Sequence, residues 1–303
     1  MKKLLLTIGL IIVFLPGTQG FSQTKRTPAA LGREEYIEVE KNVRLHVTDL
    51  GTGQPIVLIQ GWPLSDAMYQ YQYAFFIEQG YRVIGITLRG YGLSDKPAGK
   101  YDYDVFADDI KVVLDKLKIE NATLGGFSMG GGIVIHYTAK YNAAHISKLA
   151  LFGAAAPIWT KRADFNFGFW TKEDVNGLIE LNNTNRPQLF DNFGKIFPAN
   201  ETSVSPGLGN WLGAIQGQSS FYATAECLKA LRDTDLREDL KKINVPTLIL
   251  HGKLDKICSY ELAEQMHANI KNSTLIPLEK SGHALFIEEL TKFNTELLNF
   301  IKK

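Results

Sequence analysis

Several things are scarce in this chain, and each scarcity excludes something. It has two cysteines in 303 residues, Cys227 and Cys258. They are too few and too far apart for a metal site. They leave either one disulfide or two unpaired buried thiols, the second being the plainer reading. Formal net charge is only +1, and no basic cluster carries interleaved aromatics. Neither nucleic acid nor an anionic membrane surface is therefore indicated as a partner. Charged residues make up 21% and apolar residues 45%, which excludes a disordered chain.

Long apolar runs are scarce too. Leu4 to Leu15 is apolar but too short to span a bilayer comfortably. It follows Met1-Lys2-Lys3 and ends at Pro16-Gly17, with small residues around Gly20 and Ser22. This reads as a signal peptide over residues 1–22, cleaved after Gly20 or Ser22, and predicts export to the periplasm or beyond. The alternative is an uncleaved N-terminal anchor. No cysteine follows the run to carry a lipid, and no integral membrane span is expected in the mature chain. Polar residues 23–33 read as a linker, and 34–303 as the folded domain. Four Asn-x-Ser/Thr triplets, at Asn121, Asn182, Asn200 and Asn272, are incidental behind a bacterial-looking leader.

What is present is organised around Gly126-Phe127-Ser128-Met129-Gly130. Ala122 to Gly125 before it reads as a strand, and Gly131 to Tyr137 after it as the start of a helix. This is G-x-S-x-G in the strand–turn–helix setting that the motif requires. A serine at the tip of so tight a turn needs small neighbours, because Cβ atoms there would crowd the strand and helix. Ser128 is the candidate nucleophile. The plainer reading is a glycine-rich turn with a surface serine.

The rest of the chain bears on that choice. Tyr36–Glu40 and Val43–Val47 alternate as a β-hairpin around Lys41-Asn42. Pro55–Gln60, Tyr81–Ile86, Ile146–Phe152, Val245–His251 and Ser273–Leu278 read as apolar, buried strands. Helices are expected from Ser65-Asp66 to about Glu78, Asp102 to Leu117, Ser259 or Glu261 to Ile270, and Glu288 to Lys302. Alternating strands and helices predict an α/β fold: a mostly parallel sheet with helices on both faces. Between about 158 and 236 the alternation stops. That aromatic-rich stretch, with Trp159, Phe193, Phe197 and Trp211 among others, reads as an inserted helical cap, its sheet-facing rings lining an apolar pocket.

Ligands of such sheets bind at the carboxyl ends of the strands. Ser128, Asp255 and His283 all fall there. A serine hydroxyl needs an imidazole to take its proton, and the imidazole needs a carboxylate to fix its tautomer. Of six histidines, His283 is the best base. It sits in a loop behind Ser281-Gly282, with no apolar periodicity to explain it. His136 and His145 read as structural, and His251 as shaping the Asp255 loop. No carboxylate stands at Leu151 to Ala155, the other common place for the acid, which leaves Asp255. The order Ser, Asp, His matches that of α/β-hydrolases. Oxyanion donors are expected from the backbone N–H groups of Met129 and Trp62, since Pro63 has none to offer. The Trp62 indole is then expected to face the pocket. No metal or cofactor is called for.

These residues resemble the α/β-hydrolase superfamily over essentially the whole mature chain. Within it they are most similar to the cofactor-free (non-haem) haloperoxidase and aryl-esterase group. The resemblance runs through Val57-Leu58-Ile59-Gln60-Gly61-Trp62-Pro63-Leu64-Ser65, Arg89-Gly90-Tyr91-Gly92-Leu93-Ser94, Tyr101-Asp102-Tyr103-Asp104, the serine motif, and Val245 to Gly252 with Asp255. It implies hydrolysis of small carboxylic esters through an acyl-serine. It also implies perhydrolysis, in which peroxide takes the acyl group and the peracid oxidises halide, as in a cofactor-free chloroperoxidase. Two positions depart. The group usually has His where this chain has Gln60, and Asp where it has Thr87. The expectation is that a mutually stabilising His and Asp were replaced together by a neutral pair. Two further readings stay open: another acyl or carbon–carbon bond hydrolase with the same triad, or a ligand receptor on a hydrolase scaffold. An epoxide hydrolase or haloalkane dehalogenase would have Asp where Ser128 stands. Sequence leaves the oligomeric state open.

Overall fold

In a computed structural model of the protein, residues 33–303 are described. The expected leader lies outside the described residues, as does the linker except for Arg33, which opens the first strand. Strand β1 (Arg33–Glu40) turns at Lys41-Asn42 into β2 (Val43–Gly51). Asn42 has φ 64°, a left-handed conformation that asparagine tolerates. The core strands follow: β3 (Pro55–Ile59), β4 (Arg82–Ile86), β5 (Ala122–Phe127), β6 (Ile146–Phe152), β7 (Thr247–Gly252) and β8 (Ser273–Leu278). They form one eight-stranded sheet in the order β1-β2-β4-β3-β5-β6-β7-β8. The pairings β1/β2 and β2/β4 are antiparallel and the rest parallel. Every residue of β5 and β7 is buried, including the polar Thr123, Thr247 and His251.

Helices α1 (Gln70–Glu78), α2 (Tyr103–Lys116), α3 (Met129–Lys140), α8 (Tyr260–Asn269), α9 (Leu285–Glu288) and α10 (Leu290–Lys302) cover the two faces. Asp102 caps α2, its carboxylate accepting the Val105 N–H at 2.9 Å. Between β6 and β7 lie α4 (Lys172–Ile196), α5 (Pro206–Gly217), α6 (Phe221–Asp233) and α7 (Arg237–Leu240). α4 breaks at Asn185 (φ −152°, ψ 69°), two residues before Pro187, which has no N–H to continue the ladder.

Two helices differ from expectation. The stretch after Ser65 opens as a 3-10 turn (Asp66–Tyr69) before α1, and Ser65 makes no side-chain cap. The Asp66 carboxylate is committed elsewhere, to Thr48 at 2.7 Å, Tyr73 at 2.9 Å and Thr87. The last helix starts earlier than expected, at Leu285, and is interrupted at Glu289 (φ −116°, ψ 50°). That residue's carboxylate turns back to the Lys280 N–H and the Ser281 hydroxyl. In both places a buried or bridging carboxylate outweighs local helix preference. No helix among the described residues is long and apolar enough to cross a membrane.

Candidate active site

Ser128 sits between β5 and α3 with φ 54° and ψ −119°. Such a conformation costs a non-glycine residue about 1–3 kcal/mol, so its surroundings must impose it. They do so through the backbone. The Ser128 N–H donates to the Phe152 carbonyl at 2.9 Å, and its own carbonyl accepts from Gly131 at 2.9 Å and Ala155 at 3.0 Å. Glycines let the strand and helix close on this turn. A Cβ on Gly126 would stand 2.3 Å from the Gly130 carbonyl oxygen, and one on Gly130 2.4 Å from that of Gln60. Met129 opens α3, so its N–H is among those with no acceptor inside the helix.

Asp255 follows β7. Its Oδ1 accepts the N–H groups of Ile257 at 2.8 Å and Cys258 at 2.9 Å. That leaves Oδ2 facing His283, whose Nδ1–H donates to it at 2.7 Å. Both side chains are fully buried. The imidazole lies 4.7 Å, centroid to centroid, from the ring of Phe127, the residue just before Ser128, and 5.4 Å from that of Phe197. Its Nε2 is buried and has no hydrogen-bond partner among the described residues. Of the three sequence-predicted side chains, the structure brings Asp255 and His283 into direct contact, just beyond the carboxyl end of β7. Ser128 is next in the chain to Phe127, whose ring packs on the imidazole, and no hydrogen bond joins the Ser128 hydroxyl to His283 Nε2.

His251 shapes this loop. Burial holds its pKa below the ordinary histidine value, against the pull of the Asp255 charge. The neutral ring donates from Nε2 to the Cys258 carbonyl at 2.8 Å. His136 bonds Asp239 at 2.7 Å and Asp104 at 3.1 Å, and His145 bonds Asp115 at 2.7 Å, which are structural roles. Cys227 and Cys258 are both free and buried. Burial pushes the Cys258 thiol well above its ordinary pKa, and the thiol lies beside the Ser128 hydroxyl and the Trp159 indole. Its place next to Ser128 has no counterpart in the sequence reading.

Trp62 stands after β3 at the same sheet end, joined to Pro63 by a cis peptide bond. Its indole N–H donates to the Thr224 carbonyl of α6 at 3.1 Å, and its ring meets those of Phe193 and Phe190 edge-on. The indole is thus 3% exposed and spent on docking the inserted helices. Gln60 and Thr87 end adjacent strands but have different partners. Gln60 Oε1 accepts the Leu88 N–H at 3.2 Å, and the Thr87 hydroxyl donates to Asp66. The carboxylate missing at position 87 is thus supplied beside it by Asp66. Among the described residues, no cluster of His, Cys, Asp and Glu is arranged to hold a metal.

The model of the alpha/beta hydrolase fold family matches residues 54–290. The chain belongs to this family. An alpha/beta-hydrolase superfamily protein of Bacillus subtilis, YisY, is 45% identical over 88% of this chain and 98% of its own length. A putative non-heme chloroperoxidase of Synechocystis is 35% identical over 88% of this chain and 97% of its own. Among solved structures, an esterase from Exiguobacterium antarcticum superposes with a TM-score of 0.87 at 43% identity, covering 89% of this chain and all of that one. This alpha/beta-hydrolase therefore has both esterase and non-heme chloroperoxidase relatives.

Proposed function

We propose that the protein is a serine carboxylesterase acting on small, apolar esters. The observation that carries this is the buried Asp255–His283 hydrogen bond beside a strained Ser128. In this reading the Ser128 hydroxyl oxygen attacks the ester carbonyl carbon while His283 Nε2 takes its proton. Asp255 fixes the Nδ1–H tautomer and stabilises the imidazolium. The negative oxygen is received by the N–H groups of Trp62 and Met129; a single such donor is worth about 3–4 kcal/mol to the transition state. His283 then gives its proton to the leaving alcohol, and water, activated by the same imidazole, releases the acid. The Phe197 ring against the imidazole favours apolar acyl and alcohol groups, with the inserted helices acting as the cap.

Perhydrolysis is the second reaction of the same acyl-enzyme, with hydrogen peroxide in place of water. The putative non-heme chloroperoxidase relative supports it. Export is part of the proposal and rests on Met1 to Ser22; mass spectrometry of the N-terminus of the cell-produced protein tests it. The deciding experiment compares p-nitrophenyl acetate and butyrate turnover by the protein and by Ser128→Ala. Turnover that collapses in the variant is expected, and a peroxide-plus-ester assay then measures the second reaction. Absence of turnover across several chain lengths, or equal turnover in both proteins, would overturn the proposal.

A further inference from the structure

The loop that carries His283 is not held by its own strand alone. The His283 and Ala284 N–H groups both donate to the Phe197 carbonyl, at 2.9 and 3.1 Å. Phe197 is the C-cap just after α4, and its ring stands edge-on to the imidazole at 86°. Beside this contact, one carboxylate gathers donors from both segments. Glu288 Oε2 accepts the Gly282 N–H at 2.7 Å, while Oε1 accepts the Ala199 N–H at 2.7 Å and the Ser203 hydroxyl at 2.5 Å. The segments are too close for any side chain between them, since a Cβ on Gly282 would lie 2.4 Å from the Ala199 nitrogen. Glu289 completes the frame from the β8 side, through Lys280 and Ser281.

We propose that Glu288 is a positioning residue for His283, tying the histidine loop to the inserted segment that follows α4. The inference rests on the esterase reading for its kinetic consequence. An ionised acceptor makes hydrogen bonds roughly twice as strong as neutral pairs do. Two of the donors here are backbone groups that cannot turn to other partners. One of them belongs to the residue immediately before the base, so the carboxylate fixes where the imidazole enters the site. The other two donors belong to the insertion, so the cover over the imidazole and the imidazole itself are set by one side chain. Without it, Gly282 and Ala199 lose a shared acceptor, and the His283 ring is freed to drift from Asp255. Misplacement of a reacting group by about 1 Å can cost on the order of a hundredfold in rate.

The test uses Glu288→Ala, Glu288→Gln and Ser203→Ala, each assayed well below its own unfolding midpoint. Glu288→Ala should lower kcat at least about tenfold, with KM within about threefold of the parent, because the interaction it removes acts on the base and not on substrate binding. Glu288→Gln should fall between, since its carbonyl oxygen still accepts while its amide group confronts an N–H. Ser203→Ala should change kcat by less than about twofold, since it removes one donor from Glu288 Oε1 and leaves the Gly282 N–H on Oε2. A purely structural Glu288 would lower the midpoint and leave kcat unchanged, and that outcome overturns the proposal. If Glu288→Ala does not fold, Glu288→Gln decides it: parent-like kcat is the overturning result. A second readout needs no turnover. The downfield proton resonance of His283 Nδ1–H should broaden or vanish in the Glu288 variants and persist in Ser128→Ala. If the unaltered protein shows no Ser128-dependent turnover, the esterase reading fails by itself. The resonance then decides the Glu288 proposal alone, and an unchanged signal overturns it.

Discussion

His283 donates to only one oxygen of Asp255, because the other is already occupied by the backbone of Ile257 and Cys258. The carboxylate cannot rotate to serve the imidazole differently. Asp255→Asn makes the consequence measurable. The asparagine oxygen must stay on the Ile257 and Cys258 N–H groups, so its NH2 faces His283 and forces the opposite tautomer. Loss of kcat by about 10⁴ is expected, as for the corresponding change in a serine triad. The thermal midpoint should move far less than the activity does. A loss below tenfold would remove Asp255 from the mechanism.

The close approach of α3 to β3 gives a second test. A Cβ at Gly130 would meet the carbonyl oxygens of Gln60 at 2.4 Å and Ile59 at 2.7 Å, and backbone cannot step aside as a flexible side chain can. Gly130→Ala should cost about 1–3 kcal/mol of stability in a urea titration. It should also lower activity, because the displaced helix carries the Met129 N–H. Unchanged stability would show that the approach is looser than these distances require.

These two sites show why parts of the molecule were legible in sequence. The turn at Ser128 was legible because its demand for glycines is local, within five residues. Asp255 and His283 were legible because strand ends can be found from apolar runs, and few polar residues stand at them. The insertion's aromatics pointed to an apolar lining, yet nothing local says that the Trp62 indole is spent on Thr224, or that Phe197 covers His283. Those contacts join residues far apart in the chain. The same holds for Glu288 and Asp66. Each reads as an ordinary helix-start carboxylate, and each is used by partners on another element.

Asp66 also makes stability depend on pH through His46. The Asp66 carboxylate, 3.7 Å from the ring, raises the His46 pKa above its ordinary 6.5, against burial and with help from Glu34. Burial works to raise the Asp66 carboxyl, but the neighbouring His46 ring and hydrogen bonds from Thr87 and Thr48 outweigh it and hold it below 3.8. The raised histidine contributes stability that is complete below 6.5 and is lost as pH rises through its folded value. The depressed carboxylate contributes above 3.8 and is lost as pH falls through its folded value. The pair therefore stabilises most between these limits. The urea midpoint of the parent minus that of His46→Gln should be largest near pH 5.5 and shrink toward pH 9. A difference that grows on the alkaline side would refute this linkage.

The Thr87 position carries the sharpest stability prediction. Restoring the family's usual aspartate there would set a second carboxylate against Asp66, since Thr87 is fully buried and its hydroxyl now donates to that group. Two like charges so close cannot both stay ionised without cost. Thr87→Asp should destabilise at pH 7 by on the order of 3 kcal/mol, the size expected for an uncompensated buried charge. Lowering the pH should recover part of it by protonating one of the two. Asp66→Asn in the same chain should recover more, giving a coupling of about 1–3 kcal/mol in a double-mutant cycle. Gln60→His should show no such coupling to Thr87→Asp, because Gln60 is bonded to the Leu88 N–H and not to Thr87. Additive behaviour of Thr87→Asp with Asp66→Asn, measured by urea denaturation, would mean that Asp66 does not stand in for the missing aspartate.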